Sequence, residues 1–165
     1  MEVKMEYLAE HLESKIGQLN GSWISKNSSY EDNACIQLDF ECQKKRYWDC
    51  LYKDTYIEIK KGKSIWLDEV RYCEILLSDT IQNNDDCKQD IITIFIVPTK
   101  DKQNIQKIYI IDTKKIIEYL RLTREWATCL LSRVQNINRS LNCQQSMTLT
   151  DLKKIADYEI INNFV

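Results

Sequence analysis

The chain has 165 residues, enough to bury a substantial core in one domain without disulfide staples. Hydrophobic residues make up 44% and charged residues 29%, which is typical of a globular protein. Because the net charge is −2, the chain is unlike proteins that coat nucleic acid without specificity, and any nucleic-acid binding requires a local basic surface.

The seven cysteines favour reduced thiols over disulfides or a zinc site. Their number is odd, no two are spaced as Cys-x-x-Cys, and His11 is the only histidine. The first residues, MEVKMEYLAEHLESK, contain no apolar signal region, and no apolar run approaches membrane-spanning length. We therefore expect a cytoplasmic protein without a membrane segment.

An amphipathic helix is predicted over residues 3–19, ending at Asn20-Gly21. Its apolar residues recur at spacings of four and three: Leu8, Leu12, Ile16 and Leu19. The polar residues 22–33 predict a loop.

Three strands are predicted next. Residues 35–41 alternate apolar and polar side chains, which is typical of a half-buried strand. Its apolar side chains are expected to share one face: Ile36, Leu38 and Phe40. After a basic turn at 42–46, residues 47–52 and 55–61 predict two strands that form a hairpin.

The following segment predicts a helix and a buried strand. Ser64 can cap a helix over 64–78, and residues 80–89 form a polar loop. The continuous apolar run 91–97 is typical of a central strand covered on both faces. Pro98 ends it.

The last part of the chain predicts a strand at 105–111 and a helix over 113–122, capped by Asp112 or Thr113. Residues 123–148 show no regular pattern, and Thr150 can cap a final helix over 151–157. The element order predicts an α/β domain, with helices flanking a mixed central sheet.

The hairpin WDCLYKDTYIEIKK contains the candidate site. If its turn centres on Lys53-Asp54, Asp49 faces Glu58 across the two strands, about 5 Å away at Cβ, and Lys60 shares their face. Two opposed carboxylates repel each other unless a cation lies between them. Mg²⁺ prefers such oxygen ligands and can activate water for attack on a phosphodiester.

This arrangement resembles the PD-(D/E)XK nuclease superfamily, through Asp49 and then Glu58-Ile59-Lys60 on the second hairpin strand. The resemblance implies an αβββαβ restriction-endonuclease-like core, Mg²⁺ bound by Asp49 and Glu58, and a Lys60 that aids the attacking water. Trp48 stands where the family often has proline. Some members also use an acid from the first helix, which Glu10 or Glu13 could match.

Two groups of residues are candidates for DNA contacts. The first, near the hairpin, could contact phosphates or could be an ordinary solvated turn: Lys44, Lys45, Arg46, Lys61 and Lys63. The second could read base edges in the major groove or could be a polar surface loop: Arg124, Arg133, Asn136, Asn138 and Arg139.

Within the superfamily, the chain resembles a compact type II restriction endonuclease of the PvuII-like size class. The expected organisation is one nuclease domain over 1–165, with its core at about 3–122 and a variable recognition segment at 123–165. The resemblance implies a homodimer that cuts a short site in double-stranded DNA. No Gly-rich phosphate loop is present, so no nucleotide cofactor is expected.

Two other functions remain open at this point. A structure-selective nuclease, such as a junction resolvase or repair enzyme, would use the same residues on branched DNA. A non-catalytic DNA-binding or protein-binding module would keep only the fold.

Overall fold

The computed structural model describes residues 2–19, 30–62, 64–80, 88, 90–136 and 143–165. The helices are α1 (Glu2–Lys15), a 3₁₀ turn (Ile16–Gln18), α2 (Tyr30–Gln37), α3 (Glu69–Leu76), α4 (Thr113–Tyr119), α5 (Arg124–Asn136) and α6 (Leu149–Ile155). The strands are β1 (Glu41–Cys42), β2 (Cys50–Tyr52), β3 (Thr55–Lys61), β4 (Ser64–Asp68), β5 (Ile91–Pro98), β6 (Ile105–Asp112), β7 (Gln144–Thr148) and β8 (Tyr158–Ile161).

The central sheet is mixed, as predicted. Its six strands lie in the order β1-β2-β3-β5-β6-β8. Only the β3–β5 pair is parallel, and the other neighbours are antiparallel. A parallel pair requires a long crossover, and here the connection contains β4 and α3. β4 leaves the central sheet and pairs with β7 in a separate antiparallel ribbon.

The central sheet has a hydrophobic core on each face. Ile57, Ile59 and Ile94 belong to the core that contains the apolar residues of α1 and α2. Phe95 belongs to the opposite core, which is covered by α3, α4 and the β4–β7 ribbon. β5 is buried along its whole length, which confirms the predicted central strand.

Several predicted elements are confirmed with small changes at their ends. The first helix, β5, β6 and α4 lie where the sequence indicated. Asp112 caps α4, its side chain accepting a hydrogen bond from the Lys114 backbone N–H at 3.1 Å. None of the described helices is both long and apolar enough to cross a lipid bilayer.

The strand predicted over 35–41 is wrong. Residues 30–37 form α2, the chain turns at Leu38, and only Glu41 and Cys42 join the sheet. Ile36 is 72% exposed, whereas Leu38 and Phe40 are buried, so the three apolar side chains do not share a face. The apolar–polar alternation continued across a helix end, where period two has no structural meaning. Of the loop predicted over 22–33, residues 22–29 lie outside the described residues.

The helix predicted over 64–78 begins too early. Residues 64–68 form β4, and Asp68 rather than Ser64 caps α3 by accepting the Val70 backbone N–H at 3.0 Å. The partner of β4 is β7, some eighty residues later, so local sequence contains no sign of this pairing. Most of the loop predicted at 80–89 lies outside the described residues.

The C-terminal segment is more regular than predicted. It contains α5, β7, α6 and the edge strand β8. Thr148, not Thr150, caps α6 by accepting the Asp151 backbone N–H at 3.1 Å. Residues 137–142 lie outside the described part of the chain.

Asn162 connects β6 to the 3₁₀ turn after α1, and its replacement is expected to be destabilising. Its buried side-chain amide donates to the Ile105 carbonyl at 2.8 Å and to the Ile16 carbonyl at 3.4 Å. Because a buried acceptor left unpaired is unfavourable, we expect Asn162→Ala to lower the free energy of unfolding by about 1–3 kcal/mol. Urea denaturation measures this, with the exposed neighbour variant Asn163→Ala as control. Equal stability of the two variants would contradict it.

Candidate active site

Asp49 lies at the edge of β3, directly before β2. The predicted hairpin register is confirmed, since Cys50 pairs with Ile57 and Leu51 with Tyr56. Asp49 lies outside the ladder of paired residues, which begins at Cys50. Its backbone N–H donates to the carbonyl of Ile57, the partner of Cys50, at 2.8 Å. The predicted direct pairing of Asp49 with Glu58 is therefore wrong. Instead, the Asp49 Oδ2 accepts the Ile59 backbone N–H at 2.8 Å, which fixes the carboxylate beside β3.

Glu58 and Lys60 lie on the same face of β3. The strand alternation that sends Ile57 and Ile59 into one core places Glu58 and Lys60 on the opposite face. Glu58 is 9% exposed, and the Lys60 Nζ lies 4.0 Å from its Oε1. This places a buried carboxylate and an ammonium group beside the fixed carboxylate of Asp49.

Both carboxyl groups have raised pKa values. The pKa of Glu58 is raised to about 8, mainly by burial and then by the negative charge of Asp49, while Lys60 and Arg71 oppose the shift. Burial likewise raises the pKa of Asp49 to about 6, opposed by the hydrogen bond from Ile59. The two neighbouring cations therefore do not fully compensate the burial and mutual repulsion of these carboxylates. A bound divalent cation would supply the missing positive charge.

Arg71 is a site residue that the sequence did not indicate. It projects from α3, and its Nη1 lies 3.7 Å from the Glu58 Oε1. Its Nε is buried and has no hydrogen-bond partner within the described chain. This N–H donor is therefore available to an acceptor that enters the site. The segment was predicted as helix, but nothing in the spacing distinguished Arg71 from a surface arginine.

The first-helix acids are not brought to the site. Glu10 and Glu13 are exposed on α1, which covers the face of the sheet opposite Glu58. Glu31, in the first turn of α2, is the additional acid whose charge raises the pKa of both Asp49 and Glu58. The sequence does not indicate Glu31 as a site residue, because the polar residues 22–33 predict a loop.

The residues of the site provide the oxygen ligands that a hard cation prefers. Mg²⁺ is usually bound by one or two carboxylates, with water and phosphate oxygens completing its octahedral coordination. Asp49 and Glu58 match that set. Among the described residues, no group of three or more His, Cys, Asp or Glu side chains is arranged to hold a metal, so a site with more protein ligands is not found there.

Two of the predicted DNA-contact residues near the hairpin form ion pairs. Lys44 bonds Asp32 at 2.8 Å, and Arg46 bonds Glu74 at 2.7 Å. Lys45 is exposed. Lys61 is half-buried, and burial lowers its pKa. Lys63 lies outside the described residues.

The second group lies on or after α5. Arg124 bonds Asp79 at 3.1 Å, and Arg133 is exposed. Asn136 is the last residue of α5, whereas Asn138 and Arg139 lie outside the described residues.

Neither a known protein family nor a curated protein matches this chain in sequence. The assignment of a function therefore depends on the geometry of the site.

Magnesium is expected to stabilise the folded protein through Asp49 and Glu58. Any ligand that binds only the native state raises the free energy of unfolding by RT ln(1 + [L]/Kd), which is about 1.4 kcal/mol when the ligand concentration is ten times Kd. For a chain of this length, that corresponds to a rise of about 3–6 °C in Tm. Differential scanning fluorimetry should show this rise for the wild type and lose it in Asp49→Asn. An equal rise in both proteins would contradict binding at this site.

Proposed function

We propose that the protein is a Mg²⁺-dependent nuclease that hydrolyses phosphodiester bonds of double-stranded DNA. The observation that carries this proposal is the convergence of two carboxylates of raised pKa, Asp49 and Glu58, beside Lys60 at one edge of β3. Perturbed titratable groups that gather around a specific partner are typical of functional sites.

Each residue has a role that its position supports. Asp49 and Glu58 would hold the ion, which supplies Lewis acidity at the phosphate and lowers the pKa of a bound water. Lys60 lies beside Glu58 and can orient the attacking water and stabilise negative charge that develops on the phosphate. The unpaired Nε of Arg71 can donate to a phosphate oxygen.

The order of elements supports a restriction-endonuclease-like core. A helix is followed by the antiparallel strands β1, β2 and β3, then by α3 and by β5, which is parallel to β3. With α2 and β4 set aside, this order is similar to αβββαβ, with β1 and β2 only two and three residues long. β4 and the three strands after β5 are additions to this core.

We further propose a type II restriction enzyme that acts as a homodimer on a short site. Near-neutral net charge suits recognition of particular base edges better than binding through phosphates alone. The β4–β7 ribbon presents Trp66 to solvent, 60% exposed, and a two-stranded ribbon fits the major groove of B-DNA.

A non-catalytic binding module is the second candidate, and one observation favours it. Arg71 and Lys60 both lie within 4.0 Å of the Glu58 Oε1 and partly neutralise it. In a non-catalytic module, these ion pairs would only stabilise the fold, and no metal ion would bind Asp49 and Glu58.

Incubation of the purified chain with plasmid DNA, with Mg²⁺ or with EDTA, tests the proposal. We expect Mg²⁺-dependent conversion of supercoiled plasmid to discrete linear fragments, and no conversion with EDTA. Cutting only at four-way junctions would indicate the structure-selective alternative. The absence of cleavage on duplex and branched DNA, together with no effect of Mg²⁺ on stability, would overturn the proposal and favour the binding module.

A further inference from the structure

A carboxylate on α3 binds two side chains of the segment that leads into Asp49. The Glu74 Oε1 accepts a hydrogen bond from the Arg46 Nη2 at 2.7 Å. The Glu74 Oε2 accepts a hydrogen bond from the Tyr47 hydroxyl group. Each carboxylate oxygen therefore has its own donor, and the two donors are neighbours in the chain shortly before Asp49.

The contact between Glu74 and Tyr47 lies inside the fold. Tyr47 is 1% exposed, and a buried hydroxyl group requires a hydrogen-bond partner. The Glu74 side chain is 14% exposed, and a hydrogen bond to an ionised acceptor is stronger than one between neutral groups. Glu74 therefore fixes Tyr47 more firmly than an exposed ion pair would.

The backbone between Tyr47 and Asp49 is part of one short turn. The Lys45 N–H donates to the Trp48 carbonyl at 2.9 Å, and the Lys44 N–H donates to the Asp49 carbonyl at 3.0 Å. Because these hydrogen bonds close the turn on itself, a displacement of Tyr47 would also displace Asp49.

The helix that carries Glu74 contacts both carboxylates of the candidate site, one directly and one through this turn. Arg71 lies three residues before Glu74, so the two side chains are neighbours on one face of α3. The Arg71 Nη1 lies 3.7 Å from the Glu58 Oε1. α3 therefore contacts Glu58 through Arg71, and the segment before Asp49 through Glu74.

We propose that Glu74 is a positioning residue of the candidate metal site, which keeps Asp49 at the distance from Glu58 that a shared divalent ion requires. This inference rests on the proposed function, because it assumes that Asp49 and Glu58 bind the ion together. Glu74 acts through its hydrogen bonds to Arg46 and Tyr47, and not through its charge.

Binding of Mn²⁺ to the full chain tests the inference. Mn²⁺ accepts the same oxygen ligands as Mg²⁺, and the electron paramagnetic resonance signal of the free ion measures its concentration. We expect Glu74→Ala to raise the dissociation constant about tenfold, the lower end of the effect of removing groups that orient metal ligands. Tyr47→Phe, which removes only the hydroxyl group, should also weaken binding, and the double variant should bind no more weakly than Glu74→Ala.

Glu74→Gln separates the hydrogen bonds of Glu74 from its charge. The amide oxygen can accept from Arg46, and the amide nitrogen can donate to the Tyr47 hydroxyl oxygen, so both contacts can form without a carboxylate. We therefore expect Glu74→Gln to bind Mn²⁺ nearly as tightly as the wild type. Binding as weak as that of Glu74→Ala would overturn the inference and indicate an effect of charge alone.

Asn162→Ala separates positioning from a general loss of stability. It removes contacts of β6 and of the 3₁₀ turn after α1, and it should bind Mn²⁺ like the wild type while both are folded. Wild-type affinity in Glu74→Ala would overturn this inference alone and leave the proposed function standing. No Mn²⁺ binding by the wild type, or binding that Asp49→Asn does not weaken, would overturn both.

Discussion

Asp49→Asn and Lys60→Ala are expected to reduce Mg²⁺-dependent DNA cleavage by about a thousand-fold or more. Loss of a metal ligand or of a group that positions the attacking water removes interactions made in the transition state. Asparagine keeps an acceptor for the Ile59 N–H, which Asp49 bonds at 2.8 Å, so the local backbone is expected to survive. Initial cleavage rates on plasmid DNA under saturating Mg²⁺ measure the effect.

Matched controls come from exposed positions in the same part of the fold. Asp54→Asn changes the turn of the same hairpin, and Lys100→Ala changes an exposed lysine after β5. Both controls should cleave at the wild-type rate. If Asp49→Asn and Lys60→Ala also cleave at that rate while remaining folded, Asp49 and Lys60 are not the catalytic residues.

Glu58→Gln is expected to abolish the proposed nuclease activity and to stabilise the fold. The buried Glu58 carboxyl has its pKa raised to about 8, so ionising it in the folded protein is unfavourable. One pKa unit corresponds to about 1.4 kcal/mol. The neutral amide avoids the ionisation, although Lys60 and Arg71 then lose their anionic neighbour. We expect a net gain of about 2 kcal/mol in the free energy of unfolding near pH 8, within the range of stability–activity trade-offs.

The raised pKa of Glu58 also predicts how the stability of the wild-type protein depends on pH. Below the ordinary glutamate value of 4.5, Glu58 is protonated in both folded and unfolded chains and contributes no pH dependence. Between 4.5 and about 8, the unfolded chain releases the proton while the folded chain retains it, so rising pH favours unfolding. Asp49 adds a change of the same sign between 3.8 and about 6.

Urea denaturation across this pH range, without divalent ions, measures the difference between the wild type and Glu58→Gln. The two curves should meet near pH 4.5 and separate as pH rises. Glu118→Gln, an exposed substitution on α4, should follow the wild type. A Glu58→Gln protein that is less stable than the wild type at pH 8 would show that the ion pairs with Lys60 and Arg71 outweigh the burial of the charge.

The hairpin was predictable because its information is local. A two-residue turn between alternating strands sets which residues face one another, and the pairs Cys50–Ile57 and Leu51–Tyr56 follow from it. The same locality limited the prediction at Asp49. The residue at which a strand stops pairing depends on the packing of distant parts of the chain around it. Here the β2–β3 ladder begins at Cys50, so Asp49 lies just outside it.

The additional residues of the site were not predictable, because distant elements position them. Arg71 reaches Glu58 because α3 packs on the face of the sheet opposite α1. α3 begins at Glu69, directly after β4, which pairs with β7. Glu31 raises the pKa of Asp49 and Glu58 because residues 30–37 fold as a helix rather than a loop. Neither arrangement leaves a signal in neighbouring residues.

The amino-acid sequence alone determined the mixed α/β class, the buried strand β5 and the placement of Glu58 and Lys60 on one strand face. These follow from hydrophobic periodicity and turn chemistry, which act over a few residues. Only the tertiary structure decided that Asp49 bonds Ile59 instead of pairing with Glu58, and that Arg71 and Glu31 join the site. Long-range packing brings those groups together, and its energy depends on surfaces that no short segment contains.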